Sequence, residues 1–414
     1  MNLIPSLRAR ARSKTAVAGV AAVAALAVAL TACSSSSDDS GSSGSSGASG
    51  GAINVMAISV FQSSALSLPD AEAGFRAAVD TVNDAGGVNG RKINLIVCND
   101  KFDPNTAADC ARQAVSKKVV AVLESYEPFS TQVDPILEAA KIPAVYSGVA
   151  ADVDTTSSIS FPRDSGIQGL YGTLGIELAD AGCKKIGAVV TSLANTELGA
   201  DWLKKGAQSK GVSVVTADVG QTQADFNSPV AKLLSQGVDC LVPATAPDQG
   251  PKIVTAVQQS GKKVKIGAVT SEFGSAALAA LGSAADGMIL TGMEYRPEDT
   301  DVPAVQEVVA GLKKYQASVP LTTKFAIGSW ASVTAFKQLA ESIDGDITAS
   351  SVLDAVKTFS PKTELYADFS FADKAPDPDL PQVKNWGYLT WTVTGGKSKL
   401  NSQEFKQPTG LFTS

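Results

Sequence analysis

The 414-residue chain contains no histidine, so the commonest general base and metal ligand is missing from any catalytic scheme. Chemistry would then fall to carboxylates, serines or cysteines. The close acidic pairs are poorly placed for acid–base work. Asp38-Asp39 sits in a Ser/Gly run, and Asp377 and Asp379 flank Pro378 in a loop-like stretch. No Ser-Lys motif, metal-ligating cluster or phosphate-cradling glycine loop stands out, so the residue types point away from an enzyme and imply no cofactor and no metal. The cysteines are Cys33, Cys98, Cys110, Cys183 and Cys240. The last four form an even set, which favours disulfides outside the cytoplasm.

The compartment is read from the first residues. Arg8, Arg10, Arg12 and Lys14 come without an acidic residue, and an apolar run from Ala16 to Leu30 leads to Leu30-Thr31-Ala32-Cys33. A charged start, a short apolar stretch and small residues before a cleavage point mark a secretory signal over residues 1–32. The run falls short of the roughly 20 apolar residues of a permanent span. Leu-Thr-Ala-Cys resembles a bacterial lipobox, which implies acylation of Cys33 and a lipid anchor on the extracytoplasmic face. Residues 33–51 are almost wholly Ser, Gly and Asp. They cannot bury a core and read as a tether with a reach of about 23–25 Å. Removing residues 1–32 takes four positive charges and moves the net charge from −6 to −10, which argues against nucleic acid. A body of this length suggests two domains.

Short apolar strands alternate with helical patterns from residue 52 onward. Strands read at Ile53–Val60, Ile93–Cys98, Val119–Leu123 and Pro143–Ser147, and again at Ile186–Thr191, Val212–Val219, Val238–Pro243, Val264–Val269 and Met288–Gly292. Helices fit Asp70–Ala85, a segment opening at Asp103-Pro104, one from Ser130, then Leu198–Lys210, Pro229–Gln236 and Asp248–Ser260, with a short one near Ala276. Helical pattern resumes at Val302–Gln316, Ser329–Ser342 and Ser351–Thr358, and Trp386–Val393 before Gly395-Gly396 reads as one arm of a hairpin. The fold class expected is α/β, with two doubly wound parallel-sheet lobes. Cys98 ends a strand and Cys110 lies in the helix after it. Cys183 precedes the second lobe's first strand and Cys240 lies early in its third. One bridge inside each lobe is expected, with buried free thiols as the alternative.

Asn83-Asp84-Ala85-Gly86-Gly87-Val88-Asn89-Gly90-Arg91-Lys92-Ile93 closely resembles the helix end, turn and second strand of type I periplasmic binding proteins. Asp103-Pro104 and Val119–Val122 fall where that family places its second helix and third strand. The resemblance implies two lobes joined by three crossings, near Phe161–Gly166, Tyr295-Arg296 and Tyr366–Phe369, with a ligand held between them by hinge closure. The expected layout is a first lobe at 52–163, a second at 164–294, a return to the first at 295–366 and a closing segment of the second at 367–414. It also implies capture of a small organic solute (an amino acid, an amide, or an aromatic or other organic acid) for an ABC permease and ATPase, by a protein acting as a monomer. A sensing or interaction module of the same fold is the alternative.

Ligands of open α/β sheets sit beyond the carboxyl ends of strands. Those ends offer Phe61, Gln62, Ser63, Ser125, Tyr126, Ser147, Gly148 and Val149, with Ser130 at a helix start, in the first lobe. The second lobe offers Asn195, Ala246, Glu272 and Phe273. Phe61, Tyr126, Phe129 and Phe273 would supply aromatic walls, although any of them could instead pack within its own lobe. Tyr126 and Glu127, Leu198-Gly199, Ala246 and Ser271 stand where the amino acid receptors of the family place other clamp residues, so the resemblance does not carry a plain amino acid ligand over to this chain.

Overall fold

The computed structural model describes residues 51–246, 248–321 and 323–412. Cys33, the leader and the tether up to residue 50 lie outside the described residues.

The first sheet is built from β1 (Ile53–Ser59), β2 (Ile93–Asn99), β3 (Ala121–Glu124), β4 (Ala144–Ser147) and β5 (Ser160–Pro162), all parallel in the order β2-β1-β3-β4-β5. Helices α1 (Pro69–Asp84), α2 (Pro104–Ser116) and α3 (Ser130–Ala139) connect its first strands. Both faces are covered, so its strands are apolar on both sides. Val55 and Ala57 join the cluster containing Phe75 of α1, while Met56 and Ile58 join that of Ala111 and Val133 on α2 and α3. Asp103 caps α2 by accepting from Thr106 N at 2.8 Å, ahead of Pro104. The Val88-Asn89-Gly90-Arg91 segment closes as a tight turn. Its central residues have φ 49° and 81°, and Val88 and Arg91 exchange backbone hydrogen bonds at 2.8 and 2.9 Å.

The second sheet uses β6 (Lys185–Thr191), β7 (Ser213–Val219), β8 (Cys240–Ala244), β9 (Lys265–Val269), β10 (Ile289–Gly292), β11 (Leu389–Thr394) and β12 (Lys397–Leu400), in the order β12-β11-β10-β9-β8-β6-β7. Only the β11–β12 hairpin edge runs antiparallel. Around it lie α4 (Gly166–Asp180), α5 (Ala194–Gln208), α6 (Asn227–Ser235), α7 (Gly250–Gln259) and α8 (Ser275–Leu281). Then α9 (Pro303–Tyr315), α10 (Phe325–Glu341) and α11 (Ala349–Val356) return to the first sheet, where α9 and α10 pack on α1.

Two elements escape the pattern reading. β5 is three residues long. Helix α4 is buried on nearly all sides, so it has no polar face to give it a period. Its glycines let it lie flush on α5. A Cβ on Gly206 would collide with the Gly172 carbonyl, and one on Gly175 with Leu203 O.

Both bridges form. Cys98–Cys110 ties β2 to α2 with Cα atoms 5.7 Å apart, and Cys183–Cys240 joins the approach to β6 with its neighbour β8 at 5.9 Å. The chain crosses between sheets after β5 and again after β10. The third passage comes later than the expected Tyr366–Phe369. Phe369 still stacks on Tyr146 at 6.1 Å and Phe371 meets Phe161 at 5.5 Å, both in the first sheet. Asp377 is the next anchor, paired with Lys205 of α5 at 3.0 Å.

Candidate functional site: the strand ends of the two sheets

Strand order reverses beside the first strand of each sheet, at β2-β1-β3 and at β7-β6-β8. Connections leave in opposite directions there, which opens a crevice at the carboxyl ends. Both crevices are stitched by a strand-end hydroxyl. Ser59 Oγ donates to Tyr126 O at 2.6 Å and accepts from Tyr126 N at 2.9 Å, and Thr191 Oγ1 donates to Gln249 Oε1 at 2.6 Å.

In the first crevice Asn99 shapes the loop after β1. Its Oδ1 accepts from Phe61 N and Gln62 N at 3.1 and 3.3 Å, and its Nδ2 donates to Gln62 O at 2.9 Å. Gln62 is exposed. Ser63 Oγ is occupied within its own turn, donating to Leu66 O and accepting from Leu66 N. Ser125 Oγ donates to Phe325 O at 3.3 Å, and the half-buried Tyr126 ring meets the Phe325 ring at 5.8 Å.

Arg163 pins this end of the sheet. It is 4 % exposed and donates to Glu124 O (3.0 Å), Tyr146 O (3.1 Å), Ser125 O (3.2 Å) and Tyr366 Oη (2.9 Å). Gly148 must be glycine, because a Cβ would meet Ser125 O and the guanidinium. Val149 packs on Gly166, whose φ of 55° turns the first crossing. Ser147 is buried, and its hydroxyl has no partner among the described residues.

Beneath α3 lies a set of buried acids. Burial and neighbouring Asp100 push Glu127 up to about 9, burial pushes Asp154 to about 7 and Asp134 to about 6, and Glu124 is held well above the usual carboxylate range. Ser130 belongs to this set. Its hydroxyl donates to Glu127 O at 2.9 Å, and the residue is fully buried, so it faces the interior.

In the second crevice Asn195 is exposed on the first turn of α5, and Ala246 is half-buried at the end of β8. Glu272 accepts from Tyr171 Oη at 2.5 Å and from Thr245 N at 3.3 Å, and burial pushes its carboxyl up to about 8. The aromatic walls are fewer than the sequence suggests. Phe61 packs edge-on to Phe75 at 6.2 Å and Phe273 is fully buried against Gly250, so each fills its own lobe's core. Phe129 meets the Phe102 ring at a tilt of 60°, with centres 5.5 Å apart.

Phe325, Lys324 and Glu294 were not singled out by the sequence. Lys324 Nζ stands 3.0 Å from Glu294 Oε1, joining the start of α10 to the segment after β10. The helix begins four residues ahead of Ser329, which takes in Phe325 and puts Lys324 at its cap. The aromatic-apolar run Phe325-Ala326-Ile327 ahead of Trp330 was the available signal.

Residues 61–380 match the sequence model of the family described as periplasmic binding protein. The chain belongs to this family. The Leu/Ile/Val-binding protein homolog 1 of Brucella melitensis is 25% identical over 332 residues, spanning 74% of this chain and 82% of that protein. Among solved structures, an extracellular ligand-binding receptor from Verminephrobacter eiseniae superposes with a TM-score of 0.71 at 15% identity, over 84% of this chain and 99% of that one. An ABC transporter substrate-binding protein from Desulfitobacterium hafniense, in complex with Leu, gives 0.66 at 17% identity with the same coverage. As a periplasmic binding protein the chain is a solute-binding protein of extracytoplasmic type. Among the described residues no helix is long and apolar enough to cross a membrane.

Proposed function

We propose that this periplasmic binding protein is the solute receptor of an ABC importer, held at the outer face of the cell membrane by an acylated Cys33. It acts as a monomer, performs no catalysis, and captures a small organic solute (an amino acid, an amide, or an aromatic or other organic acid) between its lobes. The observation that carries this reading is the pair of switch-point crevices on two sheets joined by three passages of the chain. Lobe closure over a solute needs such a layout, because each sheet then presents its strand ends to one side of the ligand. Gln62, Ser125, Tyr126, Gly148 and Val149 would line one side, and Asn195, Ala246 and Thr245 the other. The test is a thermal-shift panel on the unreduced protein with amino acids, amides, short-chain acids and aromatic acids. A ligand that binds only the folded state stabilises it by about 2.7 kcal/mol at a hundredfold excess over its dissociation constant. One chemical class should raise the melting temperature. Silence from folded protein across the whole panel would count against the receptor reading.

A further inference from the structure

We infer that Lys324 reads a carboxylate on the solute, so that the ligand is a small carboxylic acid with an apolar or aromatic body and no required ammonium group. The inference rests on the receptor reading above and names the chemistry of the same cleft.

Lys324 is placed where the first sheet's strand ends meet the second passage. The residue after it, Phe325, accepts from Ser125 Oγ at the end of β3, and the residue before it, Thr323, donates to Asp70 at the start of α1 through N and Oγ1 at 2.7 and 2.8 Å. Glu294, its partner at 3.0 Å, lies just past β10. The pair is lopsided. The Lys324 side chain is 20 % exposed and that of Glu294 is 1 % exposed, so the lysine is the more open partner. An ammonium carries three donors, and one direction is taken by Glu294, which leaves two for an incoming carboxylate.

The other cation at this end of β3 cannot serve. Arg163 is buried with its donors directed to three carbonyls and the Tyr366 hydroxyl. Asp164 lies beside Arg163 at 3.5 Å and is likewise buried. A pair of rings begins beside the ammonium. Lys324 Nζ is 5.8 Å from the centre of the Phe325 ring, which meets Tyr126 edge-on. Those rings suit an apolar body attached to the acid. Water is excluded as the lobes close, which strengthens a charge pair that is weak in open solvent.

A receptor for a ligand ammonium would need an accessible carboxylate, and Glu272, Glu127 and Glu294 at these strand ends are all buried. Glu272 is shut against Tyr171 and Thr245, Glu127 faces inward to Asp100, and Glu294 holds Lys324. The solute's charge is therefore met on one side only.

The experiment pairs acids with their amides on the full chain, purified unreduced: phenylacetate with phenylacetamide, hexanoate with hexanamide, and leucine with leucinamide, plus putrescine as a cation. Binding is read by calorimetry and thermal shift. Lys324→Met alone would strand Glu294 in the interior, so the double variant Lys324→Met/Glu294→Gln is used beside it, with Lys357→Met, at an exposed lysine after α11, as the control. The expected result is that phenylacetate or hexanoate binds at least tenfold more tightly than its amide, that the double variant loses that preference, and that Lys357→Met keeps it. Equal binding of acid and amide, a hit confined to leucine, to putrescine or to the amides, or undiminished acid binding by the double variant overturns the inference and leaves the receptor reading standing. If nothing binds to folded wild-type protein, the receptor reading fails and takes this inference with it.

Discussion

The Tyr171 hydroxyl donates to Glu272 Oε1 at 2.5 Å, linking helix α4 to the loop after β9 through a fully buried carboxyl. In the unfolded chain that carboxyl loses its proton near pH 4.3, whereas in the folded protein it keeps it up to about 8. Between those values the folded state binds more protons, so this group's stabilising contribution falls as pH rises through the window. The slope for one proton is at most about 1.4 kcal/mol per pH unit. Glu272→Gln removes it. The stability of wild type relative to the variant should decline from pH 5 to pH 8, measured by chemical denaturation. A difference that stays constant with pH contradicts the assignment.

A larger effect of the same sign belongs to the acids beneath α3. Glu127, Asp154 and Asp134 are raised to about 9, 7 and 6, and Glu124 lies well above its usual value. Arg163 is the buried cation acting against this trend on Glu124. Each group takes up a proton on folding only between its unfolded value and its raised one, so stability is lost in turn through about pH 6 for Asp134, 7 for Asp154 and 9 for Glu127, and the first lobe is most stable under mildly acidic conditions. Hydrogen exchange of α3 should quicken as pH rises from 6 to 9 by more than the intrinsic chemical rate. In Glu127→Gln the excess should shrink. Exchange that follows the intrinsic rate alone in both proteins would sink this reading.

Much of this architecture was legible because each cue had a physical cause acting over a few residues. Val88-Asn89-Gly90-Arg91 had to turn, since Asn-Gly accepts the two positive φ values found there. Cys98 and Cys110 were placed by a strand end and a capped helix start. Features decided by tertiary packing were not legible. Helix α4 carries no amphipathic period because it is covered nearly all round. Phe61 and Phe273 stand at strand ends by sequence position, and only packing on Phe75 and Gly250 shows that they fill cores. Lys324 and Glu294 lie far apart in sequence, and nothing local pairs them.

The disulfides should contribute unequally. They close stretches separated by 12 and 57 residues. On chain-entropy grounds the Cys98–Cys110 bridge is worth about 3 kcal/mol and the Cys183–Cys240 bridge about 4 kcal/mol. Replacing each pair by alanines should therefore lower the melting temperature more for the second pair, as scanning calorimetry would record. The reverse order would show that strain or residual structure outweighs loop entropy.

Gly206 tests the close approach of α4 to α5. Its Cα faces the Gly172 carbonyl, and an added Cβ has no room there because the obstacle is backbone. Gly206→Ala should lose about 1–3 kcal/mol through overpacking, despite alanine's better helix propensity. Gly237→Ala is the contrast. It meets open space but holds φ 77°, so its cost is purely conformational. A Gly206→Ala protein as stable as wild type would mean the helices sit further apart.

The central claim is that one solute is gripped by both sheets' strand ends at once. Hydrogen–deuterium exchange with mass spectrometry, with and without the solute that the panel selects, addresses it directly. The account predicts simultaneous protection after β1 and β3, at residues 60–63 and 125–130, and after β6, β8 and β9, at residues 192–196, 245–249 and 270–273. Protection confined to one sheet, or located away from both sets of strand ends, would contradict it.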